Sequence, residues 1–334
     1  MNRGSVGLLP RAPTLETESY LGFMESLRNH SIRGIFAQVA KTSFAPNAAQ
    51  HPTVRTWKCL MRTQQQQTWQ KLQTAFAQKR DFFEAQLQHA EEKIPNRLHY
   101  SNDFSVPRYA SLDIHLQPGG YVGDTLAGFI FHHGTQVFYQ GDNDQDQLHQ
   151  QVVDQVKVPG DGQVLRILDL GCSIGQCSTA LKIRFPESEV TGLDVALPLL
   201  RYAHKRAVDQ NIEVYFRQGL AESTHLPSGH YDVILAYILF HEVPEHLFVP
   251  ILKEVHRLLR KGGTFTVIDA PNNRNLAAPN KLWLDFDALH NCEPYSPAFV
   301  ASDFPALLAE NGLRVTSVSP TPTFLSCTTA EKDA

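Results

Sequence analysis

The residues with the most chemical potential sit near the middle of the chain, in Arg166-Ile-Leu-Asp-Leu-Gly-Cys-Ser-Ile-Gly-Gln176. An apolar run leads into a turn holding Gly171 and Gly175, and a helix-favouring stretch follows. Glycine lets the backbone turn sharply and admits a ligand where a side chain would collide. Beyond it stands Asp194, at the end of the next apolar run, where a carboxylate can take both hydroxyls of a ribose. A dinucleotide site asks for G-x-G-x-x-G, with the pyrophosphate on the helix N-terminus. Here Ser173 replaces the middle glycine and Gln176 the last one. The spacing Gly171-x-Ser173-x-Gly175 instead fits S-adenosylmethionine, which has no phosphate to cradle. An NAD(P)-dependent dehydrogenase is the disfavoured rival.

Other candidates lie outside this turn. The stretch Ala236-Tyr-Ile-Leu-Phe-His-Glu-Val-Pro244 follows the fourth core strand, at the sheet edge where open α/β folds bind ligands. His241 there titrates in the range of a general base, and Glu242 can orient it or cap the next helix. His241 and His246 are five apart with Pro244 between them, which is not zinc-helix spacing, and no cysteine pair has zinc spacing, so no metal is expected. His115 and Tyr121 flank the rigid turn Pro118-Gly119-Gly120, with His132-His133 soon after. Trp283, Phe286, Asp287, His290, Asn291, Glu293 and Tyr295 form a mixed aromatic and polar cluster suited to a ligand pocket. Arg201, His204, Lys205 and Arg206 read as a solvated helix face.

The elements that must position these residues change character along the chain. Residues 15–90 are helical in pattern, with Trp69, Leu72, Phe76, Phe83, Leu87 and Ala90 on one apolar face and the Gln64–Gln67 run as solvated surface. Residues 95–150, punctuated by Pro95, Pro107 and Pro118, read as turns and short strands, with apolar runs at 111–116 and 129–139. From residue 164 onward strands (164–170, 189–194, 212–217, 231–236, 264–269, 313–319) alternate with helices, which implies a parallel sheet covered on both faces. The expected division is 1–150, mainly helical with a lid at about 100–150, and 151–334, the core.

The 334 residues are 42% hydrophobic and 19% charged with net charge −4, which suits a folded domain and shows no basic excess for nucleic acid. Five scattered cysteines argue against a disulfide framework and for a reducing compartment. The longest apolar run, residues 233–240, is too short to span a bilayer. The N-terminal stretch lacks the apolar core of a signal peptide, and the expectation is a cytoplasmic protein.

Four blocks carry a resemblance: Leu168-Asp-Leu-Gly-Cys-Ser-Ile-Gly175, Val190-Thr-Gly-Leu-Asp194, Tyr231-Asp-Val-Ile-Leu-Ala236 and Glu254-Val-His-Arg-Leu-Leu-Arg-Lys-Gly-Gly263. In order and spacing, residues 160–320 resemble the class I S-adenosylmethionine-dependent methyltransferases, in particular the small-molecule branch that includes ubiquinone and menaquinone C-methyltransferases. The resemblance implies an α/β, Rossmann-like seven-stranded sheet with one antiparallel edge strand and S-adenosyl-L-methionine as cofactor. It implies that Gly171, Ser173 and Gly175, with Cys172 among them, line the methionine part, that Asp194 holds the ribose, and that Val195 packs beside the adenine. Ala236 is expected as a further cofactor contact. Leu220 and Ala221 take the adenine-facing positions where many relatives place an acid, leaving Glu222 as the nearest carboxylate. The implied reaction moves a methyl group to an O, N or C atom of a small acceptor, in a setting such as secondary metabolism. His241, His115 and Tyr121 are the catalytic candidates, and the cluster after the fifth strand completes the lid. This reading expects neither a nucleic-acid partner nor a membrane span, and it admits a homodimer. The contrasting alternative is a non-enzymatic scaffold of this fold that binds a partner through its N-terminal helices.

Overall fold

The computed structural model describes residues 5–6, 8–272, 276–321 and 324–333. After a two-stranded ribbon (β1, Ser5–Val6; β2, Leu9–Pro10), the chain enters α1, Leu15–Asn29. The Thr14 hydroxyl caps it, accepting the Thr17 N–H at 3.1 Å. A π-helical turn, His30–Ile35, passes into α2, Phe36–Thr42. Then come α3, Pro52–Ala77, with proline at its first position, and α4, Arg80–Lys93. The six apolar residues expected on one face are all buried. The glutamine run is corrected in part: Gln64 and Gln65 are buried, and Gln66 and Gln67 are exposed. Gln65 Oε1 accepts from Arg28 Nη1 at 3.1 Å, so a run that looks polar in sequence is half interior.

Residues 95–150 are a second correction. Apart from β3, Leu98–His99, this stretch holds 3-10 turns and two helices: α5, Ala127–Phe138, and α6, Gln147–Asp154. α5 is buried on nearly every side, so it has no polar face to give a helical period. The expected boundary at 150 falls inside α6.

The core alternates β4 (Arg166–Leu170), α7 (Gln176–Arg184), β5 (Glu189–Asp194), α8 (Leu197–Asp209), β6 (Tyr215–Gln218), β7 (Tyr231–Tyr237), α9 (Phe248–Leu258) and β8 (Leu259–Asp269). It continues through α10 (Ala278–His290), α11 (Ser296–Ala301) and α12 (Phe304–Glu310) to β9 (Leu313–Pro320) and β10 (Ser326–Lys332). These strands form one sheet in the order β3-β6-β5-β4-β7-β8-β10-β9. It has eight strands, not seven: β3 pairs with β6, Leu98 opposite Phe216. The antiparallel strand is β10, inserted between β8 and β9, so it lies one in from the edge. Its sequence, Ser-Cys-Thr-Thr-Ala-Glu-Lys, is too polar to read as a central strand, yet Thr328 and Thr329 are buried.

Alternate residues of the strands feed the two faces, as a pleated sheet requires. Leu168, Leu170, Ile234 and Ala236 enter one core with α9 and α12, while Ile167, Val233 and Leu235 enter another with α7 and α8. A third apolar cluster joins the N-terminal helices to the core, packing Trp69, Phe76 and Phe129 with Leu199 and Tyr202. The α8 face is therefore not solvated. His204 and Arg206 are buried, His204 Nε2 lies 3.1 Å from the Ala90 carbonyl, and Arg206 pairs with Asp146. A basic run can face inward when a neighbouring layer supplies its acceptors, which the run itself does not disclose.

Candidate functional site

A cavity of about 680 Å³ lies at the carboxyl ends of β4, β5 and β7. That is ample for a cofactor-sized ligand with a small partner beside it. On the sheet side it is lined by Gly171, Cys172, Ser173, Asp194 and Val195. On the opposite side Trp69, His115 and Tyr121 come from the N-terminal half, and Trp283, Asp287 and Glu293 from the segment after β8.

The turn after β4 is built by left-handed backbone at Gly171 (φ +77), Ser173 (φ 50) and Gly175 (φ +73). A Cβ on Gly171 would lie 2.9 Å from Leu239 Cδ1. On Gly175 it would lie 2.9 Å from the Phe216 ring, inside the core. Asp194 holds this turn: its Oδ2 accepts the Ser173 N–H at 2.8 Å and its Oδ1 the Ala196 N–H at 2.9 Å. Burial raises the Asp194 carboxyl to about 6, against the pull of those N–H groups. Among the described residues Ser173 Oγ is buried without a hydrogen-bond partner, which fits a polar ligand resting on the turn.

Four residues expected at the cofactor lie off the cavity. Gly175 starts α7 against Phe216, and Ala236 is sealed in the core. Leu220 bridges to Ser223, and Ala221 packs on the main apolar cluster. The Glu222 carboxylate instead accepts the hydroxyl of Tyr109 at 3.0 and 3.2 Å, and it is Tyr109 that lines the cavity.

The three catalytic candidates all reach the cavity. His241 follows β7 and its Nδ1 lies 2.5 Å from Asp269 Oδ1, at the end of β8. Asp269 is fixed by the N–H groups of Phe240 (2.8 Å) and Ala270 (2.6 Å). Burial pulls the imidazole down, but the Asp269 charge and hydrogen bond outweigh it and raise His241 to about 9. His115 Nδ1 lies 2.9 Å from Glu293 and its Nε2 3.4 Å from Glu242. Against burial, these two carboxylates lift it to about 10. The Tyr121 hydroxyl donates to Glu242 Oε1 at 3.2 Å. Glu242 thus accepts from Tyr121 and faces His115, and it does not serve as a simple helix cap.

α3 pins the turn at His115. His115 has φ 55, a left-handed conformation uncommon outside glycine, and its carbonyl accepts the Trp69 indole N–H at 2.7 Å and Gln65 Nε2 at 3.3 Å. In the later cluster, Asn291 donates to Glu293 at 3.2 Å. Burial and the Glu293 charge push the Asp287 carboxyl well above its ordinary value. Phe286 packs on Trp57 and His290 on Phe286, while Tyr295 lies off the cavity. His132 meets the Tyr202 hydroxyl at 2.9 Å, His133 packs by Phe76, and neither lines the cavity. Asp269 and Arg28 were not legible as site residues. An acid closing the fifth core strand was the one signal for Asp269, and Arg28 gave none. Among the described residues no group of three or more His, Cys, Asp or Glu could hold a metal.

Residues 167–263 match a family model described as a methyltransferase domain. The chain is similar to a demethylmenaquinone methyltransferase of Thermus thermophilus, 33% identical over 106 residues, which cover 32% of this chain and 47% of that protein. It is also similar to a trans-aconitate 2-methyltransferase of Rhodopseudomonas palustris, 32% identical over 32% of this chain and 39% of the relative. The chain thus spans less than half the length of these relatives. Among solved structures, an Aquifex aeolicus SAM dependent methyltransferase aligns with 55% of this chain and 89% of its own at 18% identity and a TM-score of 0.42. The matched segment, residues 167–263, spans the glycine turn after β4 and the acid closing β5, and it is similar to a methyltransferase domain.

Proposed function

We propose that this protein transfers a methyl group from S-adenosylmethionine to an O, N or C atom of a small, partly apolar acceptor. The observation that carries the reading is a single cavity in which the turn held by Asp194 faces the His241–Asp269 pair. When bound, S-adenosylmethionine supplies an electrophilic methyl group on a sulfonium. The residues of this chain have three tasks. Gly171 and Ser173 seat the cofactor end, and Asp194 offers its remaining lone pairs to the ribose while holding the turn. His241, with Nδ1–H donated to Asp269, presents Nε2 as the proton acceptor for an acceptor hydroxyl or amine. His115, Tyr121 and the segment carrying Glu293 close over the other side, align the acceptor for in-line attack and exclude water.

The N-terminal helices act as part of this enclosure, supported by the grip of Trp69 and Gln65 on the His115 carbonyl. Calorimetry with S-adenosylmethionine and NADH, followed by detection of S-adenosylhomocysteine from a metabolite panel, tests the reading. S-adenosylmethionine is expected to bind and to turn over with one acceptor class. Binding of NADH alone would restore the dehydrogenase. Cofactor binding without turnover on any acceptor would favour the scaffold.

A further inference from the structure

We propose that Arg28 is the recognition point for a carboxylate on a flat aromatic acceptor, an assignment that rests on the methyl-transfer reading of the same cavity. Arg28 leaves the last turn of α1, is only 4% exposed, and yet lines the cavity. Its Nε donates to the Phe138 carbonyl at 3.2 Å and its Nη1 to Gln65 Oε1 at 3.1 Å, and the guanidinium lies 4.3 Å from the Phe138 ring centroid. All three contact partners are neutral, and the Asp287 carboxyl acts on the guanidinium only from beyond ion-pair distance. Among the described residues, Nη2 has no hydrogen-bond acceptor, and no carboxylate lies within ion-pair distance of the guanidinium.

A buried cation served only by neutral acceptors is costly, and a bound anion would supply the missing charge. Burial lowers the guanidinium to about 10, so it is still charged near neutrality. The neighbouring acids do not fill the role. Glu242 and Glu293 are engaged by Tyr121 and His115, and Asp287, whose carboxyl is pushed well above its ordinary value by burial and Glu293, makes no ion pair with the guanidinium. A guanidinium edge takes a carboxylate with matched geometry. The surrounding walls, Phe36, Trp69, Phe138 and Trp283, offer ring faces and edges for a planar ligand.

The test uses the full chain saturated with S-adenosylhomocysteine, into which salicylate and its neutral isostere salicylamide are titrated by calorimetry. Salicylate is expected to bind the wild type about 10- to 100-fold tighter than salicylamide. Arg28→Gln should erase that preference and Arg28→Lys should keep part of it. Equal binding of the two probes, binding of neither at millimolar concentration, or an intact preference in Arg28→Gln would overturn the assignment. S-adenosylhomocysteine affinity, measured first in each protein, separates the failures. Its absence in the wild type removes the methyl-transfer reading, whereas normal affinity without a carboxylate preference removes only the role of Arg28. If Arg28→Gln does not fold, the two wild-type affinities and Arg28→Lys decide.

Discussion

Replacing His241 with asparagine removes a titrating cation while keeping an N–H donor beside Asp269. In the wild type the buried imidazole titrates at about 9, against 6.5 for the unperturbed group, because Asp269 outweighs the burial that opposes the charge. At about 1.4 kcal/mol per pKa unit, the pair contributes roughly 3 kcal/mol of pH-dependent stability. The sign follows from the raised folded-state pKa. The contribution is fully present below pH 6.5 and is lost as pH rises through about 9. Urea denaturation of both proteins at pH 6 and pH 10 should show the wild-type advantage shrinking by roughly 3 kcal/mol toward the alkaline end. Turnover should rise with pH toward about 9 in the wild type as His241 frees Nε2, and fall by about 10²- to 10⁴-fold in His241→Asn. A stability difference independent of pH would refute the coupling to Asp269, and turnover that survives the substitution would refute the base.

Other expectations are more local. Gly175→Ala should lower the melting temperature, since left-handed backbone costs about 1–2 kcal/mol for alanine and its Cβ would strike the Phe216 ring at 2.9 Å; an unchanged melt would contradict the packing. Asp194→Ala should weaken S-adenosylmethionine binding by about 10- to 100-fold in calorimetry, as a charge-assisted acceptor is lost; wild-type affinity in a folded variant would remove Asp194 from the site. Asp146→Ala should cost roughly 3–5 kcal/mol in denaturation, because it leaves the buried Arg206 guanidinium with the Ile174 carbonyl but without its anionic partner; a loss below about 1 kcal/mol would mean the lost charge is replaced from elsewhere. Tyr121→Phe should reduce turnover about fivefold by freeing Glu242, with cofactor affinity within a few-fold; equal losses in both would place Tyr121 at the cofactor instead.

What the sequence by itself determined is the part of the protein where function constrains local geometry. A strand, a tight turn and a helix must follow one another within a dozen residues to make the turn at Gly171–Gly175, so residue types at fixed spacing expose it. The same holds for Asp194 and for the strand–helix alternation after residue 164, because each parallel strand needs its own crossover. Local pattern fails where partners come from far along the chain. α5 looked like strand because it is wrapped by α1, α3 and α8 and shows no polar stripe. Gln65 and Arg206 looked solvated, but their partners, Arg28 and Asp146, stand 37 and 60 residues away. β10 is polar yet central, since its place is fixed by ladders to β8 and β9 and not by its own hydrophobicity. The same distance hid the far side of the cavity. His115 meets Glu293, and Arg28 meets the Phe138 carbonyl, only when the N-terminal helices fold onto the sheet. Burial and charge pairing then set the protonation of these groups, and both are properties of the assembled layers, not of any segment read alone.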